Sequence, residues 1–148
     1  MTNRWCARLA TLGPIGHMNA SGTLASLVAL PLVYWLGTSV NNQLMYLFYT
    51  SVLFILSILI VRCALSHMKR RDDPSEIVID EIVGCLLTFW GIAFSTKSIV
   101  LGFILFRLFD ISKIAGCAHA ERLGGATGIM LDDIIAALLS NLLLRLIL

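Results

Sequence analysis

The apolar positions of this chain fall in long, nearly unbroken runs, not in the two-residue alternation of a half-buried strand or the stripe of a soluble amphipathic helix. Residues 44–61 carry no charge and read as one helix long enough to cross most of a hydrocarbon core of about 30 Å. Residues 22–36 form a shorter uncharged run interrupted by Pro31, with Tyr34 and Trp35 suited to a membrane–water interface. An uncharged polar turn, 37–43, joins the two. Further apolar segments over 77–94 and 98–109, separated by Ser95-Thr96-Lys97-Ser98, predict two antiparallel helices. That hairpin would bring residues 76–81 beside 107–113. The glycine-rich stretch 124–128 reads as a loop, and a last helix runs from about Ile129 to Leu148. The mixed segment 1–21, with Arg4, Trp5 and Arg8, suits a short interfacial element. The expectation is an all-α, small multi-pass membrane helix bundle forming a single domain over 1–148.

Composition supports the membrane reading. The chain is 58% hydrophobic and 14% charged, where a soluble domain carries about 25% charged residues. A net charge of +2 gives no electrostatic ground for nucleic-acid binding. Distribution says more: all nine acids lie between Asp72 and Asp133, and none precedes Asp72. Arg62 and Lys69-Arg70-Arg71 follow the clearest apolar run, whose other end is uncharged, so residues 62–75 are expected in the cytoplasm. Two crossings then put the N-terminus, with Arg4 and Arg8, on the same side. Glycines and Pro14 interrupt the early apolar stretch, against a signal peptide. The spacings of Cys6, Cys63, Cys85 and Cys117 suggest no disulfide framework or zinc site, only small buried residues.

The acids form three clusters. In Asp73-Pro74-Ser75-Glu76-Ile77-Val78-Ile79-Asp80-Glu81, Asp73 fits an N-cap and Pro74 a first helical turn, which sets Glu76 and Asp80 on one helix face. Like charges there repel unless a cation lies between them. Arg107, Asp110 and Lys113 recur every third residue, so two cations and an acid share a face. Asp132-Asp133 sits at the mouth of an apolar helix, where charge points to function. All three clusters fall on the cytoplasmic side. Oxygen ligands with no matching His or Cys group favour Mg²⁺ over zinc, and Mg²⁺ beside Arg and Lys suits phosphoryl chemistry. The Cys-x₅-Arg pattern of cysteine phosphatases is absent.

Several of these stretches resemble the phosphatidylglycerophosphatase A family. They are Asp73-Pro74-x-Glu76-Ile77-x-x-Asp80-Glu81-x-x-Gly84, Phe106-Arg107-x-Phe109-Asp110-x-x-Lys113, and Gly128-Ile129-Met130-Leu131-Asp132-Asp133-Ile134-x-Ala136. Upstream, Gly22-Thr23-x-x-Ser26-Leu27 is similar to the family's first motif, with Ser21 in place of its usual proline and Ala25 in place of a glycine. The resemblance implies a Mg²⁺-dependent phosphatase of the bacterial inner membrane, hydrolysing phosphatidylglycerophosphate to phosphatidylglycerol and phosphate. It implies metal ligands among Glu76, Asp80, Asp132 and Asp133, with Asp80, Asp110, Asp132 and Asp133 catalytic. Arg107, Lys113 and Thr23 would hold the phosphate. Glu81 is left free to point into the bundle. The rivals are a phosphatase for another lipid or soluble phosphomonoester and a small membrane cation transporter.

Overall fold

The computed structural model describes residues 2–66, 75–112 and 124–148. They form six α-helices, with no strand among the described residues: α1 (Thr2–Ala10), α2 (Ser21–Ser39), α3 (Gln43–Leu65), α4 (Ile79–Thr88), α5 (Thr96–Ser112) and α6 (Gly125–Ile147). A short 3-10 turn, Ile15–His17, leads into α2.

Helices α2 and α3 are long and apolar enough to cross a membrane. Their outer faces are apolar, unlike those of a helix in water. The buried positions include Ala25, Ser26 and Ala29 on α2 and Thr50 and Ser57 on α3. The exposed positions include Leu27, Val28 and Leu32 on α2 and Leu44, Phe48, Ile55 and Leu59 on α3. Small buried residues let apolar helices approach closely, while large ones face the surroundings. Helix α6 packs against α3, α4 and α5. Leu86, Phe89, Phe106, Ala136 and Ala137 belong to one core cluster, and Ala10, Val61, Ala64 and Met130 to a second.

Three element boundaries differ from expectation, the first two through contacts distant in sequence. Helix α4 begins at Ile79, not near Pro74, so Glu76 and Asp80 do not share a helix face. The Val78 amide donates to Ala10 O at 2.9 Å, which takes it out of any helix hydrogen-bond ladder. Nearby, the Ser21 hydroxyl donates to Ser75 O at 3.1 Å, and Gly16 lies so close to Glu76 O that a Cβ would overlap it. Asp72, Asp73 and Pro74 lie outside the described residues.

Helix α4 also ends early, at Thr88, and residues 89–95 run irregularly before α5. Asn141 satisfies this break: its Nδ2 donates to Thr88 O at 2.9 Å and to Trp90 O at 2.8 Å. Arg145 Nη2 donates to Trp90 O as well, at 2.8 Å, and Gly91 turns with φ +70°. Irregular backbone among membrane helices survives only where such partners exist. Asn141→Leu removes both bonds and leaves Thr88 O without them. It should cost about 2 kcal/mol of stability, read as a lower midpoint of thermal unfolding in detergent.

The third difference is α6, which starts at Gly125, not Ile129. Gly128 N–H already donates to Gly124 O at 3.2 Å. The glycine-rich stretch is thus the first turn of a packed helix, with Ala126 and Gly128 buried. Asp132 and Asp133 consequently lie in its third turn, about 12 Å along the axis from its start.

The cysteine expectation is also corrected. Cys6 and Cys63 form a disulfide joining α1 to α3, with Cα atoms 5.9 Å apart. The α1 residues Cys6 and Ala10 face the last turns of α3, where Val61, Ala64 and Leu65 are buried. Cys85 is free and buried; Cys117 lies outside the described residues.

Candidate functional site

At one end of the bundle, the starts of α2 and α4, the last turns of α5 and the second and third turns of α6 surround a cavity of about 560 Å³. Residues 16–22 form one wall and residues 75–77 another, and the acids of α4, α5 and α6 line it.

Asp80 and Glu81 open α4, and Asp133 comes from α6. One carboxylate oxygen from each lies within 4.8 Å of the others. Asp80 and Asp133 are only 7% and 4% exposed. Buried oxygens of all three, Asp80 Oδ1, Glu81 Oε2 and Asp133 Oδ2, have no hydrogen-bond donor. Asp80 and Glu81 lie outside the two helices long enough to span. Burial first, then the carboxylates of Glu81 and Asp133, push the Asp80 carboxyl well above the usual carboxylate range. Glu81 is pushed up too, again chiefly by burial. Buried carboxylates with bare oxygens are costly as anions, and a divalent cation removes that cost. The donor set, three carboxylates with no sulfur or imidazole, fits a hard, oxygen-seeking ion such as Mg²⁺.

Arg107 and Asp110, one turn apart on α5, form an ion pair through Nη1 and Oδ2, with side chains 13% and 15% exposed. Arg107 Nε is buried and has no acceptor. Gly22, in the first turn of α2, lies against this group. A Cβ there would collide with Glu81 Oε1 and lie 3.1 and 3.2 Å from the two Arg107 Nη atoms. A larger residue here would have to push the Glu81 carboxylate and the Arg107 guanidinium from their present places. Ser21 and Gly22 line the cavity, and no side chain caps this helix start, so its uncapped positive end adjoins the acids. The site therefore joins a metal-ready carboxylate trio to a guanidinium and a helix N-terminus, both suited to phosphate oxygens.

Of the residues singled out in the sequence, Asp80, Arg107, Asp110, Asp132 and Asp133 line this cavity. Glu76 lines it as well, but its side chain is 49% exposed and lies 3.9 Å from His17 Nδ1, outside the close trio. Thr23 sits one residue beyond the lining, in the first turn of α2. Lys113 lies outside the described residues. Glu81 enters the trio although sequence reasoning set it aside. Asp80 and Glu81 are adjacent at the start of α4, and Asp133 approaches from α6, so one oxygen of each comes within 4.8 Å of the others. Gly22 was legible only as part of a motif, because its neighbours Glu81 and Arg107 are far away in sequence.

Residues 8–148 match the family described as phosphatidylglycerophosphatase A. Phosphatidylglycerophosphatase A of Escherichia coli is 31% identical over 146 residues, covering 95% of this chain and 81% of that protein. The protein of that name from Haemophilus influenzae is 32% identical over 120 residues, covering 80% and 68%. A Bacteroides thetaiotaomicron protein provisionally named a phosphatidylinositol-3-phosphatase is 34% identical over 76 residues, 49% of this chain. The match spans 48% of that protein, about half its length. No solved structure matches the chain.

Proposed function

The chain belongs to the phosphatidylglycerophosphatase A family, and from that premise we propose that it hydrolyses phosphatidylglycerophosphate to phosphatidylglycerol and phosphate with Mg²⁺. The observation that carries this reading is the Asp80–Glu81–Asp133 trio beside Arg107 in a cavity open to a phosphate headgroup. Asp80, Glu81 and Asp133 would hold the ion, with Asp132 beside them on the same wall. When bound, Mg²⁺ neutralises phosphate charge and makes water a better nucleophile. Arg107 would take the phosphate oxygens through its guanidinium, with Asp110 fixing its orientation, and Lys113 and the start of α2 would add further donors. We favour direct attack by water, since no familiar carboxylate-nucleophile motif is present.

In this reading α2 and α3 span the bacterial inner membrane within a multi-pass bundle, and the site faces the cytoplasm, as the basic residues after α3 suggest. The acyl chains stay in the bilayer while the headgroup enters the cavity. A second reading keeps the site and changes the lipid, since the Bacteroides relative is named for another phosphomonoester.

The test is phosphate release by purified protein from phosphatidylglycerophosphate, phosphatidylinositol 3-phosphate, phosphatidate and glycerol phosphate, each with Mg²⁺ or a chelator. Fastest release from phosphatidylglycerophosphate, lost on chelation, is expected. Faster release from phosphatidylinositol 3-phosphate would favour the second reading, and chelator-resistant turnover would remove the metal. Lys97→Ala is the control: Lys97 is exposed in the first turn of α5, at the end away from the acids, and activity should stay within a few-fold of the parent.

A further inference from the structure

Helix α1 lies at the site end of the bundle, beside the last turns of α3. Its inner face is anchored: Ala10 is fully buried, and Cys6 packs against the same core cluster as Val61 and Ala64. Its outer face exposes Arg4 and Arg8 together with Trp5 and Leu9, which are 62% and 51% exposed. The Arg8 guanidinium lies over the Trp5 ring, 5.4 Å from its centroid. Arg62, next to Cys63, is exposed too, and no acid precedes Asp72 in the chain. A short helix showing two arginines, a tryptophan and a leucine together, pinned where a spanning helix ends, matches neither bulk water nor hydrocarbon. It matches the headgroup layer, where the aromatic and leucine enter the acyl boundary and the guanidinium groups meet phosphates.

We propose that the outer face of α1 is a docking surface for anionic phospholipid headgroups, and that this contact steadies one wall of the catalytic cavity. The link to the site is short. Ala10 O, at the end of α1, accepts the Val78 amide at 2.9 Å, two residues before Asp80. Thr11 O accepts the Gly16 amide at 2.8 Å, and Gly16 lies in the opposite wall. A headgroup layer that holds α1 therefore holds both the approach to Asp80 and Glu81 and the turn leading to Gly22. The activity readout of this inference rests on the phosphatase reading; the binding readout does not.

The experiment compares the parent with the Arg4→Gln/Arg8→Gln double variant, whose exposed positions lie outside the catalytic machinery. Native mass spectrometry from detergent, with phosphatidylserine and phosphatidylcholine offered together, should show the parent retaining phosphatidylserine in preference and the variant losing that preference. Equal retention by both proteins overturns the docking surface and leaves these arginines to another acidic partner. Activity is then read at limiting substrate in phosphatidylcholine vesicles and in vesicles with about one third phosphatidylserine. With two arginines at an anionic surface, the parent should be up to about thirtyfold faster in the anionic vesicles. The variant should be indifferent to composition and match the parent in pure phosphatidylcholine. A variant that keeps the anionic response sinks the coupling to the cavity. If the parent retains phosphatidylserine yet releases phosphate from no substrate, the phosphatase reading falls and the lipid surface stands.

Discussion

Asp80→Asn should abolish turnover, by about a thousandfold or more, while leaving the ion-free protein at least as stable as the parent. The two halves of this result come from one geometry. Three carboxylate oxygens lie within 4.8 Å of one another, two of them on buried side chains. Two unit charges at that distance repel by about 3 kcal/mol at an effective dielectric of about 20. Protonation already relieves part of this, so removing one carboxylate should add on the order of 1 kcal/mol of stability in chelator. On the proposed Mg²⁺ reading, the same change removes a ligand. The parent should melt higher in Mg²⁺ than in chelator, by about 2.7 kcal/mol at a hundredfold excess over Kd, and Asp80→Asn should lose most of that difference. Asp133→Asn should behave alike, and the double variant should be scarcely slower than either single one, because the ligands act as a unit. Glu76→Gln, outside the trio, should stay within a few-fold of the parent in rate. An Asp80→Asn protein that keeps parental rate and Mg²⁺ dependence would return these acids to a structural role.

Arg107→Met should damage both activity and folding, the opposite of the acid variants in its effect on stability. It strands Asp110, 15% exposed, as a further negative charge beside the trio. Breaking a buried ion pair from one side costs about 3 kcal/mol, and, on the proposed reading, loss of the guanidinium that takes the phosphate should slow turnover by about a hundredfold or more. The two effects separate in a double-mutant cycle. Adding Asp110→Asn removes the stranded charge and should recover most of the stability without recovering activity. Arg107→Lys should melt close to the parent yet remain slow, since an ammonium cannot reproduce the planar fork. Full activity in Arg107→Lys would mean that charge alone suffices at this position.

How much of this was legible before the fold was known depended on whether the cause was local. The run 44–61 needed no tertiary context, because uninterrupted apolarity over that length already excludes most other elements; α3 extends it to Gln43–Leu65. The three acid clusters were legible as well, since charge in so apolar a chain stands out. Boundaries were less so. Proline and aspartate argued for a helix near residue 74, but the bond from Val78 to Ala10 O delays it to Ile79. Glycine argued for a loop over 124–128, but small size is what lets a packed helix start there, with Ala126 and Gly128 buried.

By itself, then, the sequence determined the helical class, two segments able to span a membrane, and which carboxylates and cations stand out as candidates, because hydropathy and charge act residue by residue. Only the tertiary structure decided which acids converge. Glu81 lies in the close trio, and Glu76 does not, because Asp133, distant in the chain, approaches the start of α4. It likewise decided that Gly22 lies against Glu81 and Arg107, whose side-chain ends occupy the space a Cβ would take. The pairing of Cys6 with Cys63, across a separation of 57 residues, has no local signature. Each of these is a contact between segments that no spacing rule connects, fixed by how helices pack and not by what any one of them contains.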